Sequence, residues 1–240
     1  MRSRGARRRD VVKKPLFWGI LACLVVLWCG YRYVTLPYLS FWGTTAEEQS
    51  KILPGDELVP EPVVGKMNTA ITIDAPPSKV FPYLLQLGQD RAGFYSYDWL
   101  ERLFGFGIHN TYTIKPEWQH LSAGDFCTFS QQGMGMRVAI VDQGKTVVLI
   151  TDSRDRSHKL PPGKWEFFPV PSGKYVVWNW IFHVEEVPGG KTRLYSRTYE
   201  SFSTDNPILS FALYHGFGLP SLIMNRKLLI GIKHSAESNN

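Results

Sequence analysis

The chain has 240 residues and a mass of 27.4 kDa, with 27 Lys and Arg against 21 Asp and Glu and a formal charge of +6. Seven of the basic residues (Arg2, Arg4, Arg7, Arg8, Arg9, Lys13 and Lys14) and one acid, Asp10, fall within residues 1–14, so the remaining 226 residues carry twenty charges of each sign. A neutral body excludes a nucleic-acid partner recognised through a basic surface, and a chain 44% hydrophobic and 14% aromatic is not disordered.

Behind the basic arm, Pro15 to Tyr31 is a run of 17 uncharged residues, within the range of about 17 to 25 that a spanning helix needs. Arg32 can snorkel, and Trp28, Tyr31, Tyr33 and Tyr38 form an interfacial belt at the far end. The expectation is a single-pass anchor in the cell membrane over residues 15–38. The basic arm is then cytoplasmic and the rest of the chain lies on the other side. A cleaved signal peptide shares the basic start and the apolar middle. It needs small residues before the cut, yet no Ala-x-Ala follows the run, and Ile20 to Cys23 fits a lipoprotein cleavage site poorly at Leu21.

Residues 39–69 read as a juxtamembrane lead-in. Thr44 with Glu47, or Thr45 with Glu48, forms a capping box for a short helix ending near Ile52, and Pro54-Gly55 makes a turn. The main domain is expected over 70–237. It opens with a strand from Ala70 to Asp74, then a helix from Lys79 to about Leu87 with Ser78 as N-cap and Gly88 as stop. Met136 to Asp142 and Thr146 to Thr151 are β-rich runs flanking the hairpin signal Gln143-Gly144-Lys145.

A longer pair, Tyr175 to Val187 and Thr192 to Phe202, flanks Pro188-Gly189-Gly190-Lys191. Val176, Trp178, Trp180, Phe182 and Val184 share one face of the first strand, and Asn179, His183 and Glu185 share the other. That alternation predicts one buried face and one wet face. A helix follows Asp205 or Asn206 as cap, with Pro207 at its first position. Gly216, Gly218 and Pro220 interrupt it before a second piece from Ser221 to about Ala236, which carries Leu222, Ile223, Leu229 and Ile232 along one side. Pro207 to Met224 holds no formal charge over 18 residues, long enough for a second span, although the glycines and Pro220 weigh against one.

The element order gives an α+β class, a curved antiparallel sheet burying its apolar face against the last helix. The stretches ITIDAPPSKVFPYLLQLG, GFYSYDWLERLFG, EWQHLSAGD and LIMNRKLLIGIKHSAE, with the lead-in WGTTAEEQSKILPGDELVP, resemble a bacterial branch of the SRPBCC superfamily. These are the START and pollen-allergen-like helix-grip domains, in the branch labelled polyketide cyclase/dehydrase-like. The resemblance covers roughly residues 42 to 236. It implies a cavity between sheet and long helix for a small hydrophobic partner such as a lipid, an isoprenoid or a polyketide-like molecule, and by itself it assigns no reaction.

Phe94, Tyr95, Ser96, Tyr97, Asp98, Trp99 and Glu101, followed by His109, Glu117, Trp118 and Gln119, are the densest constellation. Aromatics with a few polar groups are what a ligand pocket uses, while the plainer reading has the rings filling the core. Tyr95, Tyr97, Trp99, Trp118, Trp178, Trp180 and Arg197 are therefore the candidate ligand residues. Arg193, Tyr195, Arg197 and Tyr199 alternate along the penultimate strand, where an inward Arg197 would hold a carboxylate or phosphate head and an outward one would sit in solvent. Asp98, His109 and Glu117 are the candidate acid–base groups if the domain is a cyclase or dehydratase-like enzyme. A third reading is an accessory subunit of a membrane complex.

No metal and no cofactor is expected. The histidines at 109, 120, 158, 183, 215 and 234 have no ligand spacing, and there is no H-E-x-x-H. Gly133-Met134-Gly135 is too short for a nucleotide loop, there is no G-x-S-x-G, and Asp152 to Lys164 reads as a polar loop. Cys23 and Cys29 lie in the apolar run, so Cys127 has no disulfide partner in the main domain.

Overall fold

The computed structural model describes residues 5–103, 105–155, 157–166, 174–203 and 218–238. The chain divides into two units, Met1–Leu39 and Ser40–Asn240. In the first, α1 (Gly5–Gly30) runs into a π-helical turn, Tyr31–Thr35, and then into α2 (Leu36–Ser40). Among the described residues one helical stretch, Leu16–Ser40, is long and apolar enough to cross a membrane, with mean hydropathy 1.6 over its most apolar window. Leu16, Phe17, Trp18, Val26 and Leu27 are exposed, the reverse of the burial that a soluble core helix of this composition would need.

In the second unit α3 (Ala46–Ser50) starts at a complete capping box. Thr45 N donates to Glu48 Oε2 at 2.8 Å and Glu48 N donates to Thr45 Oγ1 at 3.2 Å, which selects the second of the two boxes legible in the sequence. The sheet begins with β1 (Gly65–Ile73), earlier than the strand expected from Ala70, because the whole of β7 is available to pair with it. The boundary drawn at residue 70 therefore falls inside a strand. Then come α4 (Pro77–Leu85), α5 (Asp98–Leu103), β2 (Phe126–Thr128), β3 (Met134–Asp142), β4 (Thr146–Asp152), β5 (Trp165–Glu166), β6 (Val176–Val187), β7 (Lys191–Phe202) and α6 (Gly218–Ser238). The N-cap of α4 is Pro76 rather than Ser78, with Pro77 supplying the fixed φ that starts the helix.

The seven strands are ordered β1-β7-β6-β4-β3-β2, with β5 parallel to β3 and the other pairs antiparallel. Both expected hairpins close, at Asp142 opposite Thr146 and at Val187 opposite Lys191. On the inner face Leu149, Phe182, Val184 and Leu194 are dry and share one core with Val80 and Leu84 of α4 and with Leu228, Leu229 and Ile232 of α6. Of the apolar side expected for this last helix, Ile223 departs, being 38% exposed. The helix piece expected from Pro207, and residues 207–217 of the candidate second span, lie outside the described residues.

The outer face is not wet. Leu53, Leu58 and Val59 of the lead-in lie over Val148, Ile150, Val177 and Ile181, so β6 is covered on both sides and Asn179, on the expected solvent face, has no accessible surface. Its amide donates to Gly55 O at 2.7 Å and its Oδ1 accepts from Tyr199 N at 2.7 Å, which satisfies it there.

Candidate functional site

Direct partners in an antiparallel pair point to the same face, with Cβ atoms roughly 5 Å apart. Thr151 of β4 faces Trp178 of β6, Trp178 faces Glu200 of β7, and Glu200 faces Gly65 of β1. All four are on the inner face, in one row across the sheet. A Cβ on Gly65 would stand 2.7 Å from Glu200 Oε2, so the glycine makes the room in which this carboxylate lies. The Glu200 carboxylate has no hydrogen bond or ion pair among the described residues. Desolvation in this setting pushes its carboxyl up to about 7, with no cation among the described residues to pull it back.

Trp180 lies one inner position further along β6. Its ring contacts Phe182 (centroids 4.8 Å), Phe129 (6.0 Å) and Phe94 (6.1 Å, stacked), and its Nε1 donates to Ser196 Oγ at 2.9 Å. That hydroxyl donates to Asn225 Oδ1 at 2.7 Å, and Asn225 Nδ2 donates to Thr69 Oγ1 at 2.8 Å, fixing α6 to the sheet. Towards Glu200 the packing loosens. Met67, Trp178, Trp180 and Glu200 keep part of their surface accessible, whereas Phe182, Val184 and Leu194 at the other end have almost none. Thr151 Oγ1 is buried there without a hydrogen-bond partner. Trp178, Trp180 and Glu200 thus mark the accessible end of the inner face, the candidate aromatic recess.

The structure puts Trp178 and Trp180 on this face and distributes the other expected site residues elsewhere. Arg197 points to the outer face, where it is fully buried and pairs with Asp56 at 2.5 Å. Hairpin register gives it the opposite parity to Glu200, so it cannot hold a ligand head on the inner face. Tyr95 is sealed in the core at φ 54°, donating to Tyr83 O at 3.2 Å and accepting from Gln86 Nε2 at 2.9 Å, and its phenol is pushed well above its ordinary pKa by burial. Trp99 is 61% exposed, with its ring 6.2 Å from that of Tyr97, and Tyr97 in turn lies under Lys227 Nζ at 5.6 Å. Trp118 carries Lys115 Nζ 4.4 Å from its ring centre.

The three candidate acid–base groups are exposed or engaged. Asp98 Oδ1 accepts from Asn110 Nδ2, while Asn110 Oδ1 accepts from the backbone N–H groups of Phe94 (2.9 Å) and Tyr95 (2.5 Å). His109 and Glu117 are exposed. Glu101 is the unexpected group: it has no accessible surface, neither carboxyl oxygen has a hydrogen-bond partner, and burial followed by repulsion from Asp98 pushes it up to about 7. Cys127 is buried and its thiol is pushed up to about 12 by that burial, which leaves it in the unreactive thiol form. An open groove lined by Thr72, Asp74, Lys191, Lys233 and Glu237 is charge-balanced by the pairs Lys191–Asp74 (3.4 Å) and Lys233–Glu237 (2.7 Å). Among the described residues no three His, Cys, Asp or Glu side chains are grouped to hold a metal ion.

No family model and no curated protein matches the chain. Among solved structures it is similar to the hypothetical protein jhp0584 from Helicobacter pylori, at 13% identity over 80% of this chain and 98% of that one, with a TM-score of 0.45. It is also similar to Ara h 8.0201, at 13% identity over 73% and 99% of the two chains and a TM-score of 0.34. A third is the lipid transfer and protein localization domain of human StarD13, at 16% identity over 71% and 76% and a TM-score of 0.23. The α+β fold, an antiparallel sheet with a long C-terminal helix on its inner face, stands on the chain's own strand order and packing.

Proposed function

We propose that the chain is a single-pass membrane protein whose larger unit binds one small, mainly apolar molecule on the inner face of its sheet. The observation that carries this reading is the change along that face, from dry core at Phe182 and Leu194 to accessible tryptophan surface at Trp178 and Trp180. A face built only to be core would close over its largest apolar rings, and aromatic walls with one or two polar groups are what a small-molecule site requires. Acid–base catalysis through Asp98, His109 and Glu117 gains no support from groups that are exposed or engaged by Asn110.

The membrane half of the reading is supported by the outward-facing apolar side chains of Leu16–Ser40 and by the seven basic residues ahead of them. A reporter active only outside the cytoplasm, fused after Asn240, is expected to be active. The binding half is tested by purifying the full-length chain, extracting it with organic solvent and identifying what is released by mass spectrometry. One molecular class in stoichiometric amount is expected, reduced when Trp178 is replaced by Ala. Bulk membrane lipid alone, equal in wild type and variant, would sink the reading.

A further inference from the structure

The geometry points to Glu200 as the group that reads the polar end of the bound molecule, and to a primary amine, carried as an ammonium on an apolar body, as the class it accepts. This inference rests on the binding reading above and narrows it. Glu200 shares the inner-face row with Trp178, and the missing side chain of Gly65 gives its carboxylate room. Among the described residues no donor or cation meets its carboxylate, although desolvated carboxylates are ordinarily paired. The basic side chains of the same strand, Lys191, Arg193 and Arg197, are on the outer face and are already held by Asp74, Glu48 and Asp56.

A ligand carboxylate or phosphate would set a second negative charge against an uncompensated one in a low-dielectric recess. A hydroxyl would supply a single hydrogen bond but no opposite charge. An ammonium would supply a charge-assisted bond to Glu200 and lie against the electron-rich faces of the neighbouring tryptophans. The raised carboxyl pKa of Glu200 agrees with this, since a bound cation would draw it back towards the ordinary range.

The test uses three water-soluble probes with one apolar body: 2-phenylethylamine, 2-phenylethanol and 3-phenylpropionate. They are titrated by ligand-observed saturation-transfer NMR against the full-length chain in nanodiscs of zwitterionic lipid, with empty nanodiscs as the blank. The amine is expected to bind about tenfold more tightly than the alcohol, and the acid more weakly than either. In Glu200→Gln the preference for amine over alcohol should fall to about twofold or less while the alcohol still binds. Gly65→Ala, which crowds the carboxylate without removing it, should also erode the preference and provides an independent check if the first variant folds poorly. Alcohol binding without a preference for the amine in the wild type would overturn the role of Glu200 and leave the apolar site standing. Failure of all three probes to bind would overturn both.

Discussion

Arg197 and Asp56 close on each other at 2.5 Å over the outer face of the sheet, and the arginine has no accessible surface. The same guanidinium donates to Lys51 O at 2.7 Å and to Glu48 O at 3.0 Å, so one strand residue gathers three points of the lead-in. Arg193 repeats the device two pleat repeats away, with its Nε 2.8 Å from Glu48 Oε1. These bonds hold Leu53, Leu58 and Val59 over the apolar outer residues of β4 and β6.

Removing one partner of a buried pair strands the other charge, which costs about 3–5 kcal/mol. Asp56→Ala is therefore expected to lower stability by that amount in denaturant or thermal unfolding, and the double variant Asp56→Ala, Arg197→Met to recover much of it. A single variant within about 0.5 kcal/mol of wild type would mean that the lead-in is not held by this contact.

Glu101 should give the protein an unusual pH profile. Its carboxyl stands at about 7 in the folded chain against an ordinary value of 4.5, so the folded state holds its proton over a range where the unfolded state has released it. For this group stability is full below about pH 4.5, declines as pH rises through about 7 and is flat above, a total of about 3 kcal/mol. Glu200 adds a trend of the same sign, so the informative quantity is a difference. Glu101→Gln and wild type should be nearly equal at pH 5, with the variant the more stable at pH 8. Parallel profiles would show that Glu101 is not buried unpaired.

Some of this was readable in the residues and some was not, for physical reasons. Period-two alternation placed Trp178, Trp180 and Phe182 on one face, and the capping box at Thr45 and Glu48 is a local pattern that tertiary context did not disturb. Alternation along β7 could not say which parity meets α6. That is fixed by pairing across a turn in which Gly189 and Gly190 both adopt positive φ, and it sent Arg197 outward. The wet outer face failed because its cover comes from Leu53, Leu58 and Val59, more than a hundred residues earlier in the chain. Glu200 was hidden, and the burial of Glu101 within its constellation was too, because a lone carboxylate in a strand or short helix reads as solvent-facing, and only packing reveals one that is not.

The contact between α6 and the loop after α4 reverses an ordinary propensity. Gly→Ala inside a helix normally stabilises by about 1 kcal/mol. At Gly231 the added Cβ would meet Tyr95 O at 2.5 Å and Tyr95 Cβ at 2.9 Å. Tyr95 cannot readily yield, since its backbone is left-handed and its hydroxyl is held by Tyr83 and Gln86. Gly231→Ala should therefore destabilise by about 1–3 kcal/mol. A rise in melting temperature would mean that α6 does not pack this closely on Tyr95.

The other attachment of α6 is polar and sits beside the recess. Asn225 accepts from Ser196 Oγ and donates to Thr69 Oγ1, which in turn donates to Ser196 O at 3.0 Å, and Trp180 Nε1 feeds the same serine hydroxyl. Thr69 and Ser196 have no accessible surface and Asn225 is 4% exposed, so water cannot replace a lost partner without the helix lifting. Asn225→Leu should cost about 2–4 kcal/mol, since two buried hydroxyls lose a partner at once. A double-mutant cycle of Asn225→Ala with Ser196→Ala should return a coupling energy of about 0.5–3 kcal/mol. Because Ser196 also orients Trp180, the tryptophan emission of Asn225→Leu should shift to longer wavelength as that ring gains freedom towards the recess. Zero coupling with unchanged emission would separate the helix attachment from the tryptophan floor and leave the recess shaped by the aromatic contacts of Phe94, Phe129 and Phe182 alone.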